Sequence, residues 1–405
     1  MKKFLKKWFP DPASYTEGRL FSLDLLRGCD MLFLVFLQPI LSTLDRLFKP
    51  LGHGLPDCVM GQLTHNWGGF TAYDIIMPMF IFMCGAAVPF ALGRRLTPEG
   101  RPTAAFWKHV AWRVALLWVC GMMTQGRLLT LDVMKISPYN NTLQTIAAGY
   151  LIAALVLLVR SRFVRWGIAA GLVVVYTVIL VCCGDYSQTG NAAYRFDQWI
   201  LTFIVPAGSK AFGEHYTWFL TTFMFGFMTL CGMFATEILT AKGRTMQARA
   251  VTLAGFGAAL LAVGWILVPC GIPMIKHIFT ASFTLQAMGW CVLFLALLYW
   301  ITDIHRKRRG LCVLLLLGQF ALLLYMSNGV FGSCVRAFPK RLLDGLPVLM
   351  GLPATPVTDA DKFGYAVHSL IVTLGYFATL IGILAIRYRL RQACVFEKKS
   401  ASSVA

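Results

Sequence analysis

The sequence predicts an all-α membrane protein that crosses the bilayer about ten times with both termini in the cytoplasm. Hydrophobic residues make up 58% of the 405-residue chain and only 14% are charged, which is more apolar surface than a soluble core can bury. The mean hydropathy is +0.66. The net charge of +19 comes from short basic clusters between apolar runs. This pattern is typical of membrane topology and of contact with anionic lipid, not of nucleic-acid binding.

Ten runs are long and apolar enough to span the hydrocarbon, which takes roughly 20 helical residues. With the amino terminus inside, the cytoplasmic segments hold 25 Lys and Arg residues and the opposite loops hold 11, while Arg27 inside the first span completes the 37. This asymmetry favours an even number of spans. We expect a cytoplasmic basic segment at 1–21, one transmembrane domain at 22–391 and a cytoplasmic tail at 392–405. The predicted spans are 22–44, 72–92, 108–127, 142–160, 165–183, 215–240, 249–269, 281–302, 311–331 and 364–387.

The twelve cysteines form no CxxC pair, so no zinc site or disulfide framework is predicted. Most lie in apolar runs, where a thiol packs as a small hydrophobic group. Cys58 and Cys334 fall in or near loops outside the cytoplasm, and the sequence leaves their pairing open.

The first span opens with RLFSLDLLRGCD, which places Asp24 and Arg27 on one helix face. One interpretation is an interfacial ion pair beside Ser22 as the helix N-cap. The other is that ionisable groups so close to the hydrocarbon line a pocket. Asp30, further along the helix, supports the second interpretation. Gln38, deeper still, can face a substrate path or bond a neighbouring helix.

The stretch HNWGGFTAYDIIMPMFIFMCGAA places His65 at the outer mouth of the second span. Trp67 and two glycines follow it, and an aromatic wall beside flexible backbone suits a ligand cleft. Thr71 and Asp74 fit a Thr-x-x-Asp capping box at the start of the apolar run. Asp74 can instead orient His65, as a carboxylate does in acyl-transfer sites. Both interpretations remain open at this point.

Polar residues also stand where later spans meet the same outer face. Gln144 enters the fourth span, Asn191 and Asp197 lie in an outer loop, and Lys276 and Ser282 stand at the entrance to the eighth. Their convergence predicts a polar site on the outer side of the membrane. The chain has no GxSxG, HExxH or Walker motif, so it gives no support for serine-hydrolase, zincin or P-loop chemistry.

Taken together, these residues resemble the transmembrane acetyltransferases typified by heparan-alpha-glucosaminide N-acetyltransferase and its bacterial relatives. The resemblance covers most of the chain in the same order. The residues that match are Arg19, Ser22, Asp24, Arg27 and Gly28 in the first motif; His65, Trp67 (one place early), Gly69, Thr71, Asp74, Pro78 and Gly85 in the second; and Gln144, Pro273, Lys276, Thr280, Ser282, Phe283, Tyr299 and Asp303 further on.

The chain departs from the family pattern at three places. Gln38 stands where the family has an asparagine implicated in the active site, and Glu214 is displaced from the acidic pair that opens the sixth span. In the ninth span Phe320 stands for a polar asparagine, and Asn328 for a nearby histidine. These differences concern the identity of the acceptor more than acyl transfer itself.

The resemblance implies a multi-pass enzyme of the bacterial inner membrane. This enzyme would move an acetyl group from cytoplasmic acetyl-CoA to an amino sugar or other glycan outside. Whether it forms a homodimer is left open. No metal is expected. His65 would be a general base or an acetyl carrier, and Asp74 would hold its tautomer. Residues expected on the substrate side are Gln38, Trp67, Gln144, Lys276, Ser282, Asp24 and Arg27, and those expected to hold the CoA phosphates are Arg94, Arg95 and Arg113.

Two other functions fit the composition. A proton-coupled secondary transporter would use Asp24, Arg27, Asp30 and Asp74 as relays or solute ligands. The sequence shows no inverted repeat and no paired Gly/Pro-broken helices, which speaks against a transporter. A structural membrane subunit would have no need of His65.

Overall fold

The computed structural model describes residues 8–12, 20–49, 54–213, 215–353, 355 and 357–404, with backbone alone for 213 and 393–404. Arg19, Glu214 and most of the predicted segment 1–21 lie outside these residues. The regular structure of the described chain is helical, and these residues contain no strand beyond one isolated bridge between Leu96 and Pro102. The α-helices are α1 (Phe21–Met31), α2 (Gln38–Phe48), α3 (Asp57–Met60), α4 (Ile76–Leu92), α5 (Ala104–Thr124), α6 (Thr142–Leu157), α7 (Arg162–Cys183), α8 (Ala192–Ile204), α9 (Thr222–Leu239), α10 (Met246–Leu267), α11 (Ala281–Tyr299), α12 (Cys312–Gln319), α13 (Ala321–Gly329), α14 (Gly332–Leu342), α15 (Leu346–Leu349) and α16 (Asp359–Val404).

Seven helical stretches are long and apolar enough to cross a membrane, which confirms the prediction of an all-α, multi-pass protein. Helices α12 and α13 make an eighth span if they count as one, although they are bent by 72°. The other two predicted spans fall on α5 and α6. The first half of α5 carries Lys108 and Arg113, and the 16 residues of α6 reach only about 24 Å. The seven stretches are Phe21–Phe48, Ala72–Arg95, Arg162–Cys183, Thr222–Leu239, Met246–Leu267, Ala281–Ile304 and Asp359–Gln392.

The described chain divides into two compact units, and residues 65–300 form the larger one. At its centre α4 crosses α9 at contact distance: a Cβ added to Gly85 would lie 1.8 Å from the carbonyl oxygen of Thr229, and one added to Gly232 would lie 1.9 Å from that of Phe82. Helix α6 packs beside this pair, and α10 packs along α11. Helices α9 and α11 are mostly buried, whereas α7 and α10 expose apolar side chains as lipid-facing helices do.

Residues 1–64 and 301–405 form the other unit. Its first helical stretch changes from α-helix to π-helix at Leu32–Leu37 and returns to α-helix at Gln38. The N–H of Gln38 donates to the carbonyl of Phe33, five residues back. Pro39 follows and has no N–H to continue an α-helical ladder, which accounts for the irregularity at this point.

The start of α1 differs from the prediction that Ser22 caps it. The helix begins at Phe21 with Leu20 at the N-cap, so Ser22 already lies inside the first turn. Its backbone N–H instead donates to Oδ2 of Asp303 at 3.0 Å. Asp303 also pairs with Arg308 at 3.5 Å. A carboxylate distant in sequence therefore supplies the cap that the local pattern suggested.

Candidate active site

His65, Asp74 and Lys276 meet where the second long apolar stretch begins, and we call them the His65 cluster. Nδ1 of His65 lies 2.7 Å from Oδ1 of Asp74, and Nζ of Lys276 lies 3.1 Å from the same oxygen. Nζ of Lys276 also lies 3.1 Å from Nδ1 and 3.2 Å from Nε2 of the imidazole. The side chains of Asp74 and Lys276 are 2% and 6% exposed, whereas that of His65 is 34% exposed. The cluster thus buries its ion pair and presents its imidazole.

The two carboxylate oxygens of Asp74 have different partners. Oδ2 accepts hydrogen bonds from the backbone N–H of Thr71 at 3.0 Å and from its hydroxyl at 2.8 Å. The Thr71 side chain accepts in return from the backbone of Asp74, so the predicted capping box is present. Oδ1 faces His65 and Lys276. The contacts that both interpretations require are therefore present at once, one for each oxygen, while the catalytic role of Asp74 stays a prediction.

A hydrogen-bonded loop before α11 holds Lys276 at the cluster. The hydroxyl of Thr280 donates to the carbonyl of Pro273 at 2.8 Å, and the hydroxyl of Ser282 donates to the same carbonyl at 2.9 Å. The two hydroxyl oxygens are 3.3 Å apart. Ser282, predicted on the substrate side, thus shapes the loop that carries Lys276.

A second link joins this loop to the stretch after His65. The N–H of Gly69 donates to the carbonyl of Met274 at 2.9 Å. The φ angle of Gly69 is 103°, a backbone conformation that favours glycine. Phe279, in the loop, also has a positive φ of 44°, which is uncommon for a residue with a large side chain. The two segments are held together by backbone as well as by the side chains of the cluster.

Burial and neighbouring charge set the protonation of the loop. Burial lowers the pKa of Lys276, while the carboxylate of Asp74 acts in the opposite direction. Burial, and then the nearby charges of Lys276 and His65, lower the pKa of His277 to about 4. His277 is therefore neutral at neutral pH and adds no charge beside the cluster.

Aromatic rings form a wall beside the imidazole. Trp67 stacks on His277 with ring centroids 5.0 Å apart, and His277 packs on Tyr216 at 4.1 Å. Tyr73 lies 4.7 Å from the ring of His65. Sequence reasoning missed both tyrosines, because neither stands in a motif; only the position of Tyr73 one residue before Asp74 gave a signal.

The polar groups of Trp67 and Gln144 are used within the fold. The indole N–H of Trp67 donates to the carbonyl of Tyr186 at 3.2 Å. Gln144 is fully buried; its Oε1 accepts from the N–H of Asn140 at 3.0 Å, and its Nε2 donates to the carbonyl of Pro138 at 2.6 Å. Both hydrogen bonds of Gln144 stabilise the loop before α6, so a role in substrate binding stays a prediction.

Asn191 and Asp197, predicted in an outer loop, both accept hydrogen bonds from backbone N–H groups. The side-chain oxygen of Asn191 accepts from the N–H of Tyr194 at 2.7 Å and caps α8. The carboxylate of Asp197 accepts from the N–H groups of Trp218 and Phe219 before α9. Burial raises the pKa of Asp197 to about 6 despite these donors.

The three arginines expected to hold CoA phosphates have different surroundings. Arg94 is exposed in the turn after α4, and Arg95 donates to a backbone carbonyl of that helix. The guanidinium of Arg113, on α5, lies 4.6 Å from the ring centroid of Tyr150 and 3.7 Å from the sulfur of Cys84. Arg113 therefore packs among α4, α5 and α6, and only Arg94 extends freely from the surface.

His109, which no motif singled out, lies within electrostatic reach of Arg95 and Arg113. Its Nε2 atom is buried and has no hydrogen-bond partner among the described residues. The hydroxyl of Tyr150 is likewise buried and has no hydrogen-bond partner among the described residues. This group of side chains offers positive charge and unused hydrogen-bonding atoms at one end of α5.

Three predicted substrate-side residues belong to the other unit, residues 1–64 and 301–405. Asp24 and Arg27 form an ion pair at 3.0 Å, with Asp24 buried and Arg27 24% exposed. Gln38 is half-buried, and no described group bonds its side chain. Asn328 accepts a hydrogen bond from the hydroxyl of Tyr376 at 2.7 Å.

Three further results bear on the chemistry and identity of the site. Cys58 and Cys334 are both free thiols in the structure. Over the described ranges, no three His, Cys, Asp or Glu side chains group as metal ligands would. No protein-family model matches the chain, and no curated protein matches it significantly.

Proposed function

We propose that this protein is an integral-membrane acyltransferase that moves an acetyl group from cytoplasmic acetyl-CoA to an acceptor on the other side, a glycan or amino sugar. The observation that carries the proposal is the His65 cluster: an accessible imidazole fixed by a buried carboxylate, with a buried amine at the second ring nitrogen. A histidine held in this way is the usual base of acyl-transfer sites.

The arrangement favours one tautomer of His65. Asp74 Oδ1 accepts only, so Nδ1 carries the proton and Nε2 has the lone pair, which Nζ of Lys276 approaches to 3.2 Å. Nε2 removes a proton from the acceptor as the acceptor's nitrogen or oxygen attacks the thioester carbon. The imidazolium then returns that proton to the departing CoA thiolate. General-base catalysis of this kind contributes about 10²–10⁴-fold in rate.

Lys276 has a natural role in the same step. Its Nζ is 3.2 Å from Nε2, so it lies beside the atom that activates the acceptor. We assign to it the thioester oxygen, on which negative charge develops during attack. A buried ammonium at that place stabilises the tetrahedral oxyanion without reorganisation of solvent. The alternative course, in which Nε2 itself attacks the thioester and carries the acetyl group as acetyl-imidazole, uses the same atoms.

The basic residues at the far ends of α4 and α5 fit the donor. CoA carries several negative charges that cannot enter the hydrocarbon, so its phosphates must stay at the cytoplasmic face. We propose that Arg94 and Arg95 attract the phosphates and that Arg113 and His109 supply hydrogen bonds nearer the bundle. In this proposal the ten-span topology with both termini cytoplasmic places the His65 cluster at the opposite, extracytoplasmic face.

The test is transfer of labelled acetyl from acetyl-CoA inside proteoliposomes to an external amine or sugar acceptor. The His65→Ala protein is expected to lose transfer, whereas His215→Ala, an exposed loop histidine of the same unit, is expected to keep it. Transfer by His65→Ala at the wild-type rate would refute the assignment. CoA should also raise the melting temperature of the wild-type protein in detergent.

One observation favours the transporter as a second candidate. The described structure has a broken helix pair, α12 and α13, and a π-helical segment in the first stretch, and irregular backbone inside a membrane commonly binds transported ions or solutes. Solute uptake by proteoliposomes without any stabilisation by CoA would favour this candidate.

A further inference from the structure

Helix α8, in the unit of residues 65–300, has three different faces around its axis. The first face is buried and consists of Ala193, Asp197 and Leu201. The second is apolar and exposed, and we call it the aromatic stripe: Phe196, Trp199 and Phe203. The third is polar and consists of Arg195, Gln198 and Thr202. At about 100° per residue, each face stands about 100–130° from the next.

The aromatic stripe is one continuous exposed patch. The ring centroid of Trp199 lies 5.8 Å from that of Phe196 and 5.3 Å from that of Phe203. The side chains of Trp199 and Phe203 are 56% and 72% exposed. Apolar surface left in water costs about 25 cal/mol per Å². A patch of this kind therefore marks a surface that contacts an apolar partner.

Helix α8 lies across the ends of three other helices. At its start, the backbone nitrogen of Ala192 lies 2.6 Å from a Cβ added to Gly184, the residue after α7. One turn further, the carboxylate of Asp197 accepts from the N–H of Phe219 at 3.1 Å, just before α9. In the next turn Leu201 lines a cavity together with residues 137–139, which precede α6. Because its successive turns meet these ends, α8 runs along one face of the helix bundle.

That face lies at the surface of the membrane. Helix α7 has 22 residues and is about 33 Å long, which is enough to cross the hydrocarbon. Val178 and Val181, in its last two turns, are 52% and 54% exposed, as lipid-facing side chains are. Since α8 begins beside the end of α7, it begins where the hydrocarbon meets water.

A helix at this level with one apolar and one polar exposed face has a preferred environment. Amphipathic helices lie in the plane of the membrane interface, and tryptophan rings are enriched at the level of the lipid head groups. We propose that α8 is an interfacial helix that inserts its aromatic stripe between the lipid head groups and keeps its polar face in water. The partner of this surface is the bilayer itself.

The same helix is connected to the wall of the His65 cluster. Asp197 holds the segment before α9 by its backbone N–H groups, and the preceding residues of that segment contact His277. The ring of Tyr216 packs on that of His277 at 4.1 Å, and the N–H of Thr217 donates to its carbonyl at 3.1 Å. The aromatic wall beside the imidazole is therefore attached to a helix that rests on the lipid surface.

The test compares two neighbouring positions on α8. A fluorescent amino acid is incorporated at position 203, in the aromatic stripe, or at position 202, on the polar face, of the otherwise unchanged full chain. Both side chains are exposed, so neither change should disturb the fold, and size-exclusion chromatography checks this. Each protein is reconstituted in phosphatidylcholine vesicles. The quenchers are a phosphatidylcholine with a nitroxide near the top of its acyl chain and, separately, iodide in the water.

The nitroxide lipid is expected to quench the probe at 203 several-fold more strongly than the probe at 202, and iodide is expected to show the reverse order. Quenching of both probes by iodide alone would place the helix in water, and quenching of both by the lipid alone would place it inside the hydrocarbon. Protection of the probe at 203 from both agents would mean that protein, such as a second copy of the chain, covers the stripe. Each of these results, like equal quenching of the two probes, would overturn the proposal.

Discussion

Asp74 joins a helix cap and a histidine partner in one side chain, and the two functions are separable by mutation. Asp74→Asn keeps an oxygen for Thr71 but puts an amide group near His65, which removes the charge and disturbs the tautomer. We expect acetyl transfer to fall by roughly 10³–10⁴-fold, the scale seen when the carboxylate of an acyl-transfer triad is lost. Steady-state rates in proteoliposomes measure the effect.

The matched variant is Thr71→Ala, which removes the capping hydroxyl but leaves the contact between Asp74 and His65. It should lower the free energy of unfolding by about 1 kcal/mol and leave the transfer rate nearly unchanged. Equal loss of rate in both variants would mean that the capping box alone, through the fold, governs activity.

His277 gives the site a pH signature in stability. Its pKa is about 4 in the folded chain and near 6.5 when unperturbed, so between these values the unfolded chain binds a proton that the folded chain does not. Stability from this residue is therefore complete above pH 6.5 and declines as the pH falls toward 4. His277→Phe keeps an aromatic ring against Trp67 and Tyr216 but cannot titrate.

We expect the wild-type melting temperature to fall more between pH 7 and pH 5 than that of His277→Phe, measured in the same detergent. The rise in the pKa of Asp197 has the opposite sign and is common to both proteins, so it cancels in the comparison. Parallel curves for the two proteins would contradict the assignment.

The sequence predicted part of this residue-level arrangement. The capping box is local, because Thr71 and Asp74 are three residues apart and their spacing alone implies the contact. The approach of Lys276 to His65 joins residues 211 positions apart and depends on the loop that Thr280 and Ser282 hold. The sequence indicated Lys276 only as one of several polar residues at the outer face and through the resemblance, because no local pattern encodes a contact over such a distance.

At the scale of elements, the close crossing of α4 and α9 depends on two glycines, Gly85 and Gly232, which have no side chain to keep the backbones apart. Gly85→Ala would place a methyl group 1.8 Å from the carbonyl oxygen of Thr229, so the two backbones must separate. Overpacking of this kind costs about 1–3 kcal/mol, and we expect a clear fall in melting temperature. Gly255→Ala on α10 is the control, because no atom lies within 4 Å of its added Cβ.

The control should keep or slightly raise the melting temperature, since alanine favours helix over glycine by up to about 1 kcal/mol. If Gly85→Ala were as stable as Gly255→Ala, the close approach of α4 to α9 would not be a requirement of the fold.

Of the two irregular helical stretches, the sequence predicts the π-helical segment better than the bend between α12 and α13. Pro39 lies inside the first predicted span, and its missing N–H is a signal for the change of helix type just before it. The 72° bend at Phe320 has a weaker signal, because Gly318 lies two residues before it and no proline stands nearby. The predicted ninth span was therefore drawn as one helix where the structure has two.

At the scale of the whole molecule, the proposed topology makes opposite predictions for two exposed positions. Cys58 should face the outside and Lys242 the cytoplasm. In proteins with a single cysteine, a membrane-impermeant maleimide added to intact cells should label Cys58 and should not label Lys242→Cys until the membrane is opened. Labelling in the reverse order would invert the topology and place the His65 cluster at the inner face.

The fold class followed from composition, because long apolar stretches without charge can only be helices in a membrane. The number of spans followed less well. Helix α6 ends at Leu157 and is short for a bilayer, and α5 carries Lys108 and Arg113 where a plain hydrocarbon span would carry none. Hydropathy detects both stretches but does not distinguish a lipid-facing helix from one sheltered by its neighbours.

The double duty of Asp74 has a consequence for mutational scans of this protein. A library sorted by the amount of protein that reaches the membrane should already deplete changes at Asp74. Loss of the cap weakens the helical turn Ala72–Ile75, which leads directly into α4. Changes at the accessible His65 should pass the same sort and disappear only when cells are selected for chemistry. The difference between the two selections, taken position by position, would draw the boundary of the active site without any assumption about its substrate.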